Sequence, residues 1–326
     1  MAPETKSLAA PITVAEMQAD KEREISLAKH IVELVNHVAM TGEYRAARSK
    51  NPHAIAYTEA ITAIIDNPEN KLDDFDTSLL RVIGGLGSYI EADKESKALD
   101  EKFSKSHISE YEYDRRKELK TEYLIPFNHN LKTLITFAPS GISMDHLTVA
   151  LTNTHTAVFS GHNVLHHSLT KAPSDVQEPS AVLYKLNQAT NAMRHEVAVE
   201  TMLDAARIEY DYDVSIEEDF NGIDIIVYID GSREGLDIKS SFAAETRAYD
   251  AHANDVHSCR AIWTGLEDAD FTGMRGDTRN ALTISYDVAK QKAALFVQSA
   301  RLVIRAAQKK EAAHPKTTAI RTIGNR

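Results

Sequence analysis

Through the first half of the chain, apolar residues recur every three or four positions. In ISLAKHIVELVNHVAM, Ile25, Leu27, Ile31, Leu34, Val35 and Val38 fall near helical spacing with charges between them, which is the repeat of an amphipathic helix. PHAIAYTEAITAIIDNP repeats the pattern between Pro52 and a closing Asn-Pro pair, and proline is punctuation that a helix interior does not tolerate. DDFDTSLLRVIGGLGSYIEADKESKALDEKF continues helically except at Gly84, Gly85 and Gly87, where a helix break is expected. SEYEYDRRKELKTEYLIPFNHNLKTLITFA adds one or two helices interrupted at Pro126. From about Val14 to Ala138 the pattern therefore predicts a helical bundle.

The texture changes after TKAPSDVQEPSA, Thr170 to Ala181, where proline and small polar residues concentrate and a domain boundary is expected. EPSAVLYKLNQATNAMRHEVAVETMLDAARIEY reads as a long helix with Pro179 near its first turn. NGIDIIVYIDGSREGLDIKSS reads as a hairpin, SCRAIWTGL as a further strand, and SYDVAKQKAALFVQSARLVIRAAQKKEAAHP as an amphipathic helix ended by Pro315. Helix, strands and helix in that order predict an α/β or α+β second domain. The division expected is a helical domain over 1–170, a linker at 171–180, an α/β (α+β) domain over 181–314 and a basic tail at 315–326.

Composition narrows this little. With 326 residues, 43% hydrophobic and 26% charged, the chain can bury the cores of two domains. A net charge of -11 argues against coating nucleic acid through the overall field but leaves room for a local basic face. The single cysteine, Cys259, excludes an intramolecular disulfide and a cysteine-rich zinc site. The N-terminal MAPETKSLAAPITVAEMQADKERE has no long apolar run behind a basic start, and nothing approaches the ~18 apolar residues of a membrane span. A cytoplasmic location is expected.

The hairpin carries the chemistry. Strand side chains alternate faces, so Asp224, Ile226 and Tyr228 share one side, and Ile223, Ile225, Val227 and Ile229 the other. Asp237 and Lys239 alternate with Leu236 and Ile238 in the same way. Gly231 and Gly235 suit the turn DGSREG, because glycine tolerates positive φ. If the turn centres on Ser232 and Arg233, residue 228 opposes 237, 226 opposes 239 and 224 opposes 241, which puts Asp224, Asp237 and Lys239 on one face. Two carboxylates held close raise one pKa unless a cation lies between them. Two aspartates, a backbone carbonyl and waters form an incomplete octahedron for magnesium or manganese, with room for a phosphate, and the lysine is placed to orient or help deprotonate an attacking water. That is a set for phosphodiester hydrolysis.

RHEVAVETML on a helix, GIDIIVYID on the first strand and LDIKSS on the second together resemble the PD-(D/E)xK superfamily of restriction-endonuclease-like nucleases, over about residues 181 to 241. The resemblance implies a restriction-endonuclease-like core, a mixed sheet flanked by helices, acting as a Mg2+- or Mn2+-dependent nuclease on DNA, as an endonuclease. It implies Asp224 and Asp237 as metal ligands, Glu196 as the helix acid that assists at the metal, Lys239 as the catalytic lysine, and Glu200, one turn along the same face, as the reserve acid. Gly222 and Ile223 stand where the motif's name has proline. The rival is a non-enzymatic adaptor or assembly protein that uses the nuclease-like core as a scaffold.

Other features add less. His162 and His166 stand at i,i+4, with His146, His155 and His167 near in sequence, a spacing that suits zinc; without a following acid, solvated or core-lining histidines are expected instead. VIGGLG lacks the third glycine of a dinucleotide loop, and no phosphate loop or nucleophile elbow occurs. The acidic run EYDYDVSIEED is assigned to a solvated loop or to the side away from the substrate, or its aspartates to additional metal ligands. Lys290, Lys292, Arg301 and Arg305 head a basic stretch that continues to Arg326; it reads either as a DNA-backbone contact or as a solvated helix face. The helical half carries no chemistry of its own, and is expected to recognise substrate, form a homodimer or dock a protein partner.

Overall fold

The computed structural model describes residues 14–105, 109–159, 181–212, 214–241, 244, 260–273 and 280–313. It is a mixed helix-and-sheet protein of α+β class. The first part is built from α1 (Val14–Met40), α2 (Gly42–Arg48), α3 (His53–Asp66), α4 (Asp74–Lys105), α5 (Glu110–Leu119), α6 (Ile125–Phe137) and α7 (Met144–Phe159). There follow α8 (Ala181–Ala206), β1 (Glu209–Asp211), α9 (Ile216–Phe220), β2 (Ile225–Ile229), β3 (Ser232–Lys239), β4 (Arg260–Trp263) and α10 (Tyr286–Ala313). No helix among the described residues is long and apolar enough to cross a membrane. The expected linker at 171–180, the tail at 315–326, Pro179, Cys259, His162, His166 and His167 lie outside the described residues.

Leu27, Ile31, Val35 and Val38 of α1 are buried in the core of the helical part, as their spacing predicts. The expected break at Gly84, Gly85 and Gly87 is not there: α4 runs unbroken from Asp74 to Lys105. The glycines serve packing instead. A Cβ on Gly84 would lie 3.2 Å from Ile61 Cγ2, and one on Gly87 2.8 Å from Phe159 Cδ1, so their absence lets α3 and α7 approach α4 closely. Contacts made throughout the helix offset the ~1 kcal/mol helix penalty of each glycine. The expected interruption at Pro126 is not a break either: the chain stays helical from Glu110 to Phe137, and only one turn changes its hydrogen-bond pattern. Lys120–Leu124 forms one turn of π-helix directly before Pro126, and such a π-bulge is one of the recognised places where a helix absorbs an irregularity.

The second core lies between a four-stranded sheet, in order β1-β2-β3-β4, and helices α8 and α10. β1/β2 and β2/β3 are antiparallel and β3/β4 is parallel, so the sheet is mixed. Ile225, Val227, Ile229, Leu236 and Ile238 pack against Val199 and Met202 of α8 and Phe296 and Ala300 of α10. The acidic run expected as a loop instead supplies β1 and α9, because Tyr210 packs against the second core and Ser215 with Glu218 closes a capping box. α8 belongs to both cores: Leu186, Ala189, Met193 and Val197 face the helical one, and Ala198, Val199, Met202 and Leu203 the sheet.

Gly87→Val is expected to lower stability by about 1–3 kcal/mol through overpacking, whereas Gly42→Ala, where a Cβ meets nothing within 4 Å, should not lower it. Urea unfolding of both variants checks the contrast; equal losses would contradict the packing role of Gly87.

Candidate active site

The hairpin turns four positions earlier in residue sum than the sequence suggested. Ile229 pairs Ser232, Tyr228 pairs Arg233 and Ile225 pairs Leu236, so the turn is Asp230-Gly231, with φ of 51° and 83°. Positive φ at both central residues is the type I′ geometry that Asp-Gly favours, and that local preference outweighs the symmetric centre expected at Ser232-Arg233. Gly235 is correspondingly not a turn residue. It sits in β3 opposite Ile226, and a Cβ there would meet Ile223 at 2.9 Å.

The shift in register is an even number of residues, so the faces survive it. The regular ladder ends at Ile225 and Leu236, and Asp224, just before it, lies close enough to Asp237 for their charges to repel. Asp224 is pinned at the head of β2: its N–H donates to the Leu236 carbonyl at 2.9 Å, and its Oδ2 accepts the Ile238 N–H at 2.6 Å. Lys239 forms an ion pair with the buried Asp237 carboxylate. Asp224, Asp237 and Lys239 thus converge, and Glu196 reaches the same place from α8.

The electrostatics follow from burial. The Asp224 carboxyl is pushed well above the usual carboxylate range, first by desolvation and then by Glu196 and Asp237, with Lys239 and the Ile238 N–H working the other way. Glu196 is pushed up to about 7, chiefly by desolvation, with Asp219 and Glu200 adding repulsion and Lys132 opposing it. Buried carboxylates that repel one another are short of positive charge, which is the condition a divalent cation relieves. Asp224 and Asp237, neighbouring oxygen donors of the kind magnesium and manganese accept, fit such an ion. Among the described residues no three His, Cys, Asp or Glu side chains are already grouped as a metal site.

Two residues of this neighbourhood, both on α6, carry no sequence signal. Lys132, on α6 of the helical part, lies 2.8 Å from Glu200 Oε1 and 3.4 Å from Glu196 Oε2. Burial works against its ammonium, yet the two glutamates hold it above the ordinary lysine value. His129, one helical turn earlier, is 2.7 Å from Asp219 of α9. Glu196 and the reserve acid Glu200 therefore do share a face, and the helical half brings charge to the site that its sequence did not announce. Nothing in α6 flags Lys132 locally, because its partners are more than sixty positions away.

The remaining candidates are placed differently. Lys290 is exposed. Lys292 pairs with Asp270 at 2.9 Å, and Arg301 and Arg305 both pair with Asp230 of the hairpin turn, at 3.2 and 3.1 Å, so these three are engaged by acids of the same chain. Buried His146 is tied to Ser143 and reaches Asp20 at 3.3 Å, and His155 tilts against Phe159. Beside Glu196, Arg194 is fully buried. It donates to Asn191, Asn280 and Asp268 at 2.9, 2.6 and 2.6 Å and stacks 4.1 Å from the Phe271 ring. His195 meets Thr264 at 2.9 Å, and its pKa is driven down to about 4, chiefly by burial and then by Arg194.

Comparison with protein-family models, with curated proteins and with solved structures finds no match for the chain.

The Glu196 carboxyl titrates at 4.5 when unperturbed and at about 7 in the folded protein. Between those values the folded state holds a proton that the unfolded chain has released, so this contribution favours folding at low pH and is lost as pH rises toward 7. Raised Asp224 acts with the same sign. Metal-free protein should therefore lose melting temperature between about pH 5 and pH 7.5 relative to Glu196→Gln. Calorimetry of the two proteins across that range checks it, and parallel profiles would contradict it.

Proposed function

We propose that the protein is a metal-dependent nuclease that hydrolyses DNA phosphodiester bonds, as an endonuclease, on a restriction-endonuclease-like core. The observation that carries this reading is the convergence of Asp224, Asp237 and Lys239 at the head of one hairpin, with Glu196 of α8 reaching the same cluster. Asp224 and Asp237 would hold a magnesium or manganese ion. When bound, the cation stabilises charge on the phosphate and makes a water more acidic. Lys239, 27% exposed at the edge of the cluster, is the group that can turn toward that water and orient it. Glu196, raised to about 7, exchanges a proton near neutrality and assists from the helix side.

The ion pairs within the cluster favour a second reading. Lys239 already pairs with Asp237, and Lys132 already pairs with Glu196 and Glu200, as in a core used only as a scaffold for assembly. Titration with magnesium separates the two: a nuclease binds it through Asp224 and Asp237, a scaffold takes up none.

Asp224→Ala and Lys239→Ala should each reduce magnesium-dependent cleavage of supercoiled DNA by at least ~100-fold while leaving the circular dichroism spectrum unchanged. Undiminished cleavage by both variants, or a wild-type protein that cleaves no DNA form, rejects the nuclease reading.

A further inference from the structure

Two lysines serve the carboxylate cluster from opposite ends. Lys239 pairs with Asp237, and Lys132 pairs with Glu200 and Glu196. Asp224, between them, accepts a backbone N–H from Ile238 and has no ion pair among the described residues. Asp219, the further acid near Glu196, is engaged by His129. Among the described residues four carboxylates, Asp224, Asp237, Glu196 and Glu200, thus face two ammonium groups; with all four ionised, two negative charges are left over, the charge that a single divalent ion carries.

We propose that Lys132 is the site's built-in second cation: it occupies the place beside Glu196 and Glu200, so the cluster binds one divalent ion, at Asp224 and Asp237, and not two. Lys132 is 12% exposed, and Glu196 and Glu200 are 11% and 14% exposed, so the ammonium is held in the contact between α6 and α8. A dication approaching Glu196 meets a fixed like charge at a few ångströms in a poorly screened setting. To ligate there it must expel a largely buried lysine that is already paired with both glutamates. This also gives the helical half a defined part in the site: Lys132 is a positioning residue that acts through Glu196 and Glu200, and it makes the site incomplete without α6.

The inference rests on the nuclease reading, and manganese titration of the full chain, by calorimetry and electron paramagnetic resonance, tests the two separately. Wild type should bind one Mn2+ per chain, and Asp224→Asn should abolish that binding. Lys132→Gln leaves Glu196 and Glu200 without a cation and should bind two. A merely structural Lys132 would lower the melting temperature of the variant without changing its ion count. One Asp224-dependent ion in both wild type and Lys132→Gln, or two in wild type, overturns the role of Lys132 and leaves the nuclease reading standing. No ion in wild type, or an ion indifferent to Asp224→Asn, overturns both. Should Lys132→Gln fail to fold in metal-free buffer, refolding with millimolar Mn2+ replaces the count: rescue supports substitution of ion for lysine, and no rescue overturns it.

Discussion

Helix α8 has no solvent-facing side between Met193 and Val199, where seven successive residues are buried. Three of these, Arg194, His195 and Glu196, are polar or charged, and a buried charge is tolerated only when it is paired and hydrogen-bonded. A helix turns about 100° per residue, so the three side chains leave it in different directions and each needs a different neighbour. Arg194 finds Asp268, Asn280 and the Phe271 ring; His195 finds Thr264; Glu196 finds Lys132. The segment after β4 and helix α6 are thereby fixed against α8, and the arrangement of the candidate site follows from that requirement.

The cost of burying these charges also marks where chemistry is available. Arg194 has its guanidinium satisfied on both edges and one face, so it reads as a structural pin. Glu196 and Asp224 are different, because their neighbours are mostly other carboxylates and burial raises both pKa values. A protein under pressure for stability alone would replace such a group with an apolar residue of similar volume. Retaining four acids around two lysines keeps a charge deficit at the head of β2, and that deficit is what makes the cluster a candidate for an ion and a phosphate.

Where sequence expectation and structure part, the cause is a long-range contact or a neglected turn preference. The glycines of α4 look like a break in isolation, but Ile61 and Phe159, from other helices, come close enough to make glycine the residue that fits. The acidic run looks solvated, but Tyr210 is apolar enough to join the sheet and Asp219 is claimed by His129. The basic face of α10 looks free, but Asp230 and Asp270 pair with three of its members. The hairpin register was available locally, since Asp-Gly is itself a type I′ signal.

Periodicity and turn chemistry by themselves determined most helices, the hairpin, the strand at Arg260–Trp263 and the shared face of Asp224, Asp237 and Lys239, because each depends on residues within a few positions of one another. Only the tertiary structure decided that α8 serves two cores, that β4 runs parallel to β3, and that Lys132 from the helical half meets Glu196 and Glu200. Those facts depend on which distant surfaces bury each other, and on where a charge without water must find its partner, and neither leaves a mark in the local pattern of the chain.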